Sequence, residues 1–84
     1  MKLKAVRTIL EAAMSNQQRG IIKYGNDSVD FDFTAGDSSE QDIVAFNTDT
    51  EVLSVLGKTC RNAYIDCEAI QCIEVYRSTS VQNV

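Results

Sequence analysis

Two aspartates separated by one residue, Asp30 and Asp32, have the spacing in this sequence that most directly suggests chemistry. They lie in the run SVDFDFT. If that run is a β-strand, both carboxylates leave the same face, with their Cβ atoms roughly 7 Å apart. Carboxylates placed in this way can share Mg²⁺ or Ca²⁺ with a third from a neighbouring segment. Asp42 and Glu40 are the candidates for that third ligand.

The apolar neighbours of the pair favour a different interpretation. The aspartates alternate with three apolar side chains, Val29, Phe31 and Phe33. One apolar and one charged face is typical of an antiparallel strand with one side in water. We therefore expect Asp30 and Asp32 to face solvent, and we predict neither a metal site nor a cofactor.

Several residue types needed for common enzymatic chemistry are missing. The chain has no histidine, which removes imidazole acid–base chemistry, Ser-His and Cys-His nucleophile pairs and histidine metal ligands. Its four glycines are scattered and open no phosphate-binding loop. Its three cysteines, Cys60, Cys67 and Cys72, lack zinc-ligand spacing, and we expect Cys67 to pack as a small buried residue. These features predict a protein that is not an enzyme.

The distribution of charge is the most informative feature. Residues 1–23 carry five cations and one acid, whereas residues 24–57 carry eight acids and no Lys or Arg. If the strands of residues 24–47 are adjacent, their carboxylates collect on one side and attract a basic partner surface. The predicted partner-binding residues are Asp27, Asp30, Asp32, Asp37, Glu40 and Asp42.

Periodicity predicts one helix followed by short strands. An apolar stripe at helical spacing indicates an amphipathic helix over about 2–17, which Gly20 would stop. Alternation, β-branched content and turn residues place strands at about 20–25, 28–34, 42–47, 52–56, 61–66 and 71–76, with a tail at 78–84. For 52–56 a short capped helix is the alternative.

This order of elements predicts an α+β fold in a single domain, 1–84. The N-terminal amphipathic helix would pack on a curled antiparallel sheet or on a small five-stranded barrel. The segment AYIDCEAIQCIEVY, residues 63–76, resembles the closing strands of Sm-like barrels, and this resemblance implies that the barrel would be of the SH3/Sm-like kind. The chain departs from that family at its RNA-binding positions, because no Asp-x-x-x-Asn loop follows the second strand. The resemblance therefore bears on the barrel and not on RNA binding.

These features predict a small acidic binding or regulatory protein that presents carboxylates to a basic protein surface and whose charge disfavours nucleic acid as a partner. Its size and acidity are similar to those of small bacteriophage inhibitors, some of which mimic nucleic acid. An alternative is single-stranded nucleic acid bound through cations and a stacking ring, Lys2, Lys4, Arg7, Arg19, Lys23 and Tyr24.

Length and composition give three further expectations. A core of 84 residues is modest, which favours a homodimer. Arg7 and Glu11 interrupt the N-terminal apolar run, so we expect neither an export signal nor a membrane span there. Together with an odd number of cysteines, this predicts a cytoplasmic protein.

Overall fold

The computed structural model describes residues 1–34, 41–57 and 62–77. The elements in order are α1 (Leu3–Ser15), β1 (Arg19–Tyr24), β2 (Asp27–Asp32), β3 (Ile43–Asn47), β4 (Val52–Leu56), β5 (Ala63–Asp66), a 3₁₀ helix (Cys67–Ala69) and β6 (Ile70–Val75). This is an α+β fold, as the sequence predicted. The segment 52–56 is a strand and not a helix, and the predicted tail 78–84 lies outside the described residues.

The strands form two three-stranded antiparallel sheets. Sheet I has the order β2-β1-β6, and sheet II has the order β3-β4-β5. Over the described residues the sheets do not close into a barrel, so the five-stranded SH3/Sm-like barrel was the wrong alternative. A closed barrel would need β2 to pair with β3. The backbone N–H of Asp42, which lies just before β3, does donate to the Asp32 carbonyl at 3.1 Å, but the two strands form no ladder.

Helix α1 joins the two sheets through one core. It contacts β3 of sheet II, β6 of sheet I and the 3₁₀ helix. Its buried side chains, Val6, Leu10 and Ala13, belong to the predicted apolar stripe. They share one cluster with buried residues of both sheets, including Ile22, Phe31, Leu53 and Ile65. The prediction that an amphipathic helix packs on an antiparallel sheet is therefore confirmed.

Helix α1 ends earlier than predicted, and a different residue terminates it. Gln17 adopts a left-handed conformation with φ 52°, the Gln17 N–H donates to the Met14 carbonyl, and the Gln18 N–H donates to the Ala13 carbonyl. This pair of bonds is a Schellman motif, which usually places glycine at the left-handed position. Gly20 instead lies inside β1, so the prediction that it stops the helix was wrong.

No helix among the described residues is long and apolar enough to cross a membrane.

Candidate functional site

The β1–β2 hairpin decides what surrounds the predicted acidic residues. Its turn has Gly25 at φ +57°, which fits a two-residue type II′ connection. The resulting register places Arg19 opposite Asp32 and Ile21 opposite Asp30. Strand parity then puts both aspartates on the outer face of sheet I, where both are exposed, as the sequence predicted.

Asp42 is brought to the same place from ten residues further along the chain. One of its carboxylate oxygens, Oδ2, accepts a hydrogen bond from the Asp32 N–H at 2.9 Å. Together with the bond from the Asp42 N–H to the Asp32 carbonyl, this contact fixes Asp42 beside the end of β2. Three of the predicted residues, Asp30, Asp32 and Asp42, therefore form one group, which we call the acidic cluster.

The other predicted site residues are not part of the acidic cluster. Asp27 lies at the opposite end of β2, paired with Tyr24, and is about 17 Å along the strand from Asp32. Asp37 and Glu40 lie outside the described residues. The condition that the strands of residues 24–47 be adjacent is not met, because β2 and β3 belong to different sheets.

Cations and an aromatic residue share the face with the acidic cluster. Arg19 lies across from Asp32, and Lys23 forms an ion pair with Glu74 of β6 at 3.1 Å. A shallow open depression of about 400 Å³ is lined by Arg19, Gly20, Asp30, Phe31, Asp32 and Tyr76. Sequence reasoning missed Arg19, Glu74 and Tyr76 as neighbours, although counting residues back from the Gly25 turn would have found Arg19.

Local hydrogen bonds keep Asp32 ionised. The hydroxyl and backbone N–H of Thr34 both donate to Oδ1 of Asp32. These bonds lower the pKa of Asp32 against the opposing effect of desolvation, and the positive charge of Arg19 makes a smaller contribution in the same direction as the bonds. At neutral pH the end of β2 therefore carries a fixed negative charge.

The lowered pKa of Asp32 predicts a pH dependence of stability. A carboxyl whose pKa is lower in the folded state stabilises the fold above its unfolded pKa of about 4, and this contribution is lost as the pH falls through the folded pKa. We expect Asp32→Asn to be less stable than wild type at pH 7, with a gap that shrinks below about pH 4. Urea denaturation at pH 7, 4 and 2.5 measures this, with Asp30→Asn as the control for removing charge from the same face. A gap that stays constant with pH would contradict the assignment.

The cations of the nucleic-acid alternative do not gather on one surface. Arg7 of α1 pairs with Glu11 at 3.3 Å and lies 5.5 Å from the ring centroid of Phe46 in sheet II. Arg19 and Lys23 lie on sheet I among carboxylates. Tyr24 is half-buried against the core, on the opposite face of β1 from Lys23. Its ring is therefore poorly placed to stack on bases beside these cations.

The remaining candidates for chemistry have structural surroundings. Within residues 1–34, 41–57 and 62–77, no three acidic or cysteine side chains converge in a way that could hold a metal ion. Cys67 is fully buried, which confirms its predicted packing role, and burial raises the pKa of its thiol. Cys72 is a half-buried free thiol, and Cys60 lies outside the described residues.

Comparisons with protein-family models, with curated proteins and with solved structures found no significant match.

Proposed function

We propose that this chain is a non-enzymatic binding or regulatory protein whose acidic cluster binds a basic surface of a partner protein. The observation that carries the proposal is the convergence of Asp30, Asp32 and Asp42 at one exposed end of sheet I. Hydrogen bonds to Thr34 and to the Asp32 backbone hold two of these carboxylates in place. Carboxylates held in fixed positions need less reordering when they meet a cation, which favours binding.

The partner class follows from the sign and spacing of the charges. A group of neighbouring carboxylates, two of them held in place, resembles the charge pattern of a nucleic-acid backbone, and the surfaces that bind such backbones are rich in Lys and Arg. We infer that the partner is a nucleic-acid-binding protein and that this chain acts as an inhibitor or nucleic-acid mimic, of the kind that bacteriophages encode. Nucleic acid itself would be repelled from the cluster.

We place this activity in the cytoplasm. The support is chemical, because the described cysteines Cys67 and Cys72 are both free thiols. Free thiols are typical of proteins in reducing compartments.

Affinity capture with the full chain as bait tests the proposal, followed by recapture with one charge reversed. Asp30→Lys is the sharpest variant, because Asp30 is exposed and its backbone sits in the middle of a regular strand. Asp49→Lys, in the exposed turn between β3 and β4, makes the same change in net charge and is the matched control. We expect Asp30→Lys to lose the partner and Asp49→Lys to retain it. Equal recovery by both variants would contradict the proposal.

Competition separates mimicry from other modes of binding. If the acidic cluster occupies a nucleic-acid site, a double-stranded oligonucleotide should displace this chain from the captured partner. Failure of saturating oligonucleotide to displace it would rule out mimicry and leave only the binding of a basic surface.

A further inference from the structure

The outer face of sheet II is mostly apolar and carries little charge. On its three strands the residues that alternate with the core side chains are Ile43, Ala45, Asn47, Val52, Ser54, Leu56, Tyr64 and Asp66. Two large side chains of this set are prominently exposed, Ile43 at 44% and Tyr64 at 68%. We call the six members without Asn47 and Asp66 the apolar face. It contrasts with the outer face of sheet I, which carries charges on all three strands.

Charge selects the kind of molecule that can cover the apolar face. Of the eight outward residues on these strands, one belongs to a charged residue type, Asp66, which lies at the end of β5 opposite Val52. A basic partner would gain little from such a surface. Two copies of a chain with net charge −4 repel one another, and an uncharged surface is where they can approach at the least electrostatic cost. The apolar face therefore suits a second copy of the chain.

The shape of the apolar face is complementary to that of a second copy. The register aligns Ala45, Ser54 and Tyr64 in one row across the sheet, so that two small side chains lie beside one large ring. A two-fold axis parallel to β4 places β5 of one copy over β3 of the other. Each Tyr64 then covers Ala45 of the other copy, which is the reciprocal contact that a two-fold interface requires.

The same axis also gives favourable contacts in the neighbouring row of residues across the sheet. Asn47, Val52 and Asp66 form the next row, so Asp66 of one copy faces Asn47 of the other and no two of these carboxylates are opposed. The β4 strands face each other, which brings Val52 onto Val52 and Leu56 onto Leu56. A two-fold axis perpendicular to the strands would instead place Tyr64 on Tyr64 and leave the small residues uncovered.

We propose that the apolar face is the interface of a homodimer whose two-fold axis runs parallel to β4. Sheets packed face to face with nearly aligned strands are a common arrangement. Three strands of four or five residues cover only about 14 by 17 Å. This footprint, about 240 Å² on each copy, is well below the area of a standard specific interface, so the dimer is weak, with a dissociation constant above about 1 µM. The inference is independent of the acidic cluster, which lies on the other sheet.

Sedimentation equilibrium of the full chain from 5 µM to 1 mM tests the proposal. We expect the average mass to rise from that of the 9.3 kDa chain toward twice that value. Ala45→Glu and Tyr64→Lys should each keep the chain monomeric over this range, because each places an unpaired charge in the apolar interface. Tyr76→Lys, at an exposed tyrosine on the sheet I side, is the control and should leave the dimer intact. Circular dichroism and urea denaturation establish that each variant is folded.

Mixing the two variants tests the axis itself. In an Ala45→Glu with Tyr64→Lys heterodimer the new glutamate meets the new lysine, and the second Tyr64–Ala45 contact stays native. We therefore expect the equimolar mixture to dimerise when neither variant does alone. A wild-type chain that is monomeric at 1 mM, a dimer that survives either substitution, or a mixture that stays monomeric would each overturn the proposal.

Discussion

Replacement of Gly20 by alanine is expected to destabilise the fold by about 3 kcal/mol or more, which is a large share of the stability of a small domain. A Cβ atom at this position would lie 2.0 Å from the carbonyl oxygen of Glu74 and 2.7 Å from Cζ of Phe31. The first contact is with backbone, so β1 and β6 would have to separate. That separation weakens the ladder that holds Gly20 opposite Val75, including the hydrogen bond from the Tyr76 N–H to the Arg19 carbonyl.

Urea denaturation of Gly20→Ala beside Gly25→Ala measures this effect. Gly25 has φ +57°, and a Cβ atom there would meet nothing within 4 Å, so its replacement costs only the backbone strain of about 1 kcal/mol. Because Glu74 supplies a backbone atom, Phe31→Leu should not restore the stability of Gly20→Ala. A Gly20→Ala variant no less stable than Gly25→Ala would contradict the close approach of β1 to β6.

Truncation of Phe33 is expected to cost about 4 kcal/mol. Phe33 is fully buried, and its ring centroid lies 5.1 Å from that of Phe31. The Phe33 N–H also donates to the Gln18 carbonyl at 3.0 Å, so backbone and ring are both fixed where the chain leaves sheet I. Phe33→Ala leaves a cavity that this short segment cannot readily close, because its backbone is held by that bond.

The matched variant for Phe33 is leucine. Phe33→Leu keeps most of the buried volume and should cost about 1 kcal/mol in the same urea titration. Equal losses for alanine and leucine would mean that the ring contributes little volume to the core. A loss for alanine no greater than the roughly 1 kcal/mol expected for leucine would contradict the burial of Phe33.

The elements of the fold follow from local patterns in the sequence. The stripe through Val6 and Leu10 predicts α1, and the alternation of Val29 and Phe31 with aspartates predicts β2, because each pattern reflects the repeat of its own element. The division of the strands into two sheets could not be predicted in this way. It depends on whether β2 pairs with β3, which is a contact between distant segments rather than a repeat within one.

Only part of the acidic site could be predicted, because the sequence shows local patterns but not contacts between distant segments. Parity within β2 is local, so the outward direction of Asp30 and Asp32 could be predicted from their apolar neighbours. Arg19 comes to the same face through the hairpin register, and Glu74 comes through the pairing of β1 with β6. A stretch without cations in the sequence is therefore not a surface without cations, and the acidic cluster is smaller than the 24–57 segment suggested.

The most direct test of the binding proposal is a titration of the captured partner at increasing salt concentrations. Wild type and Asp49→Lys should bind with equal affinity that falls steeply as salt rises. Asp30→Lys should bind about tenfold or more weakly at low salt and with a shallower salt dependence, because its reversed charge sits inside the acidic cluster. Affinities and salt slopes that are the same for Asp30→Lys and Asp49→Lys would contradict a role for the acidic cluster in binding.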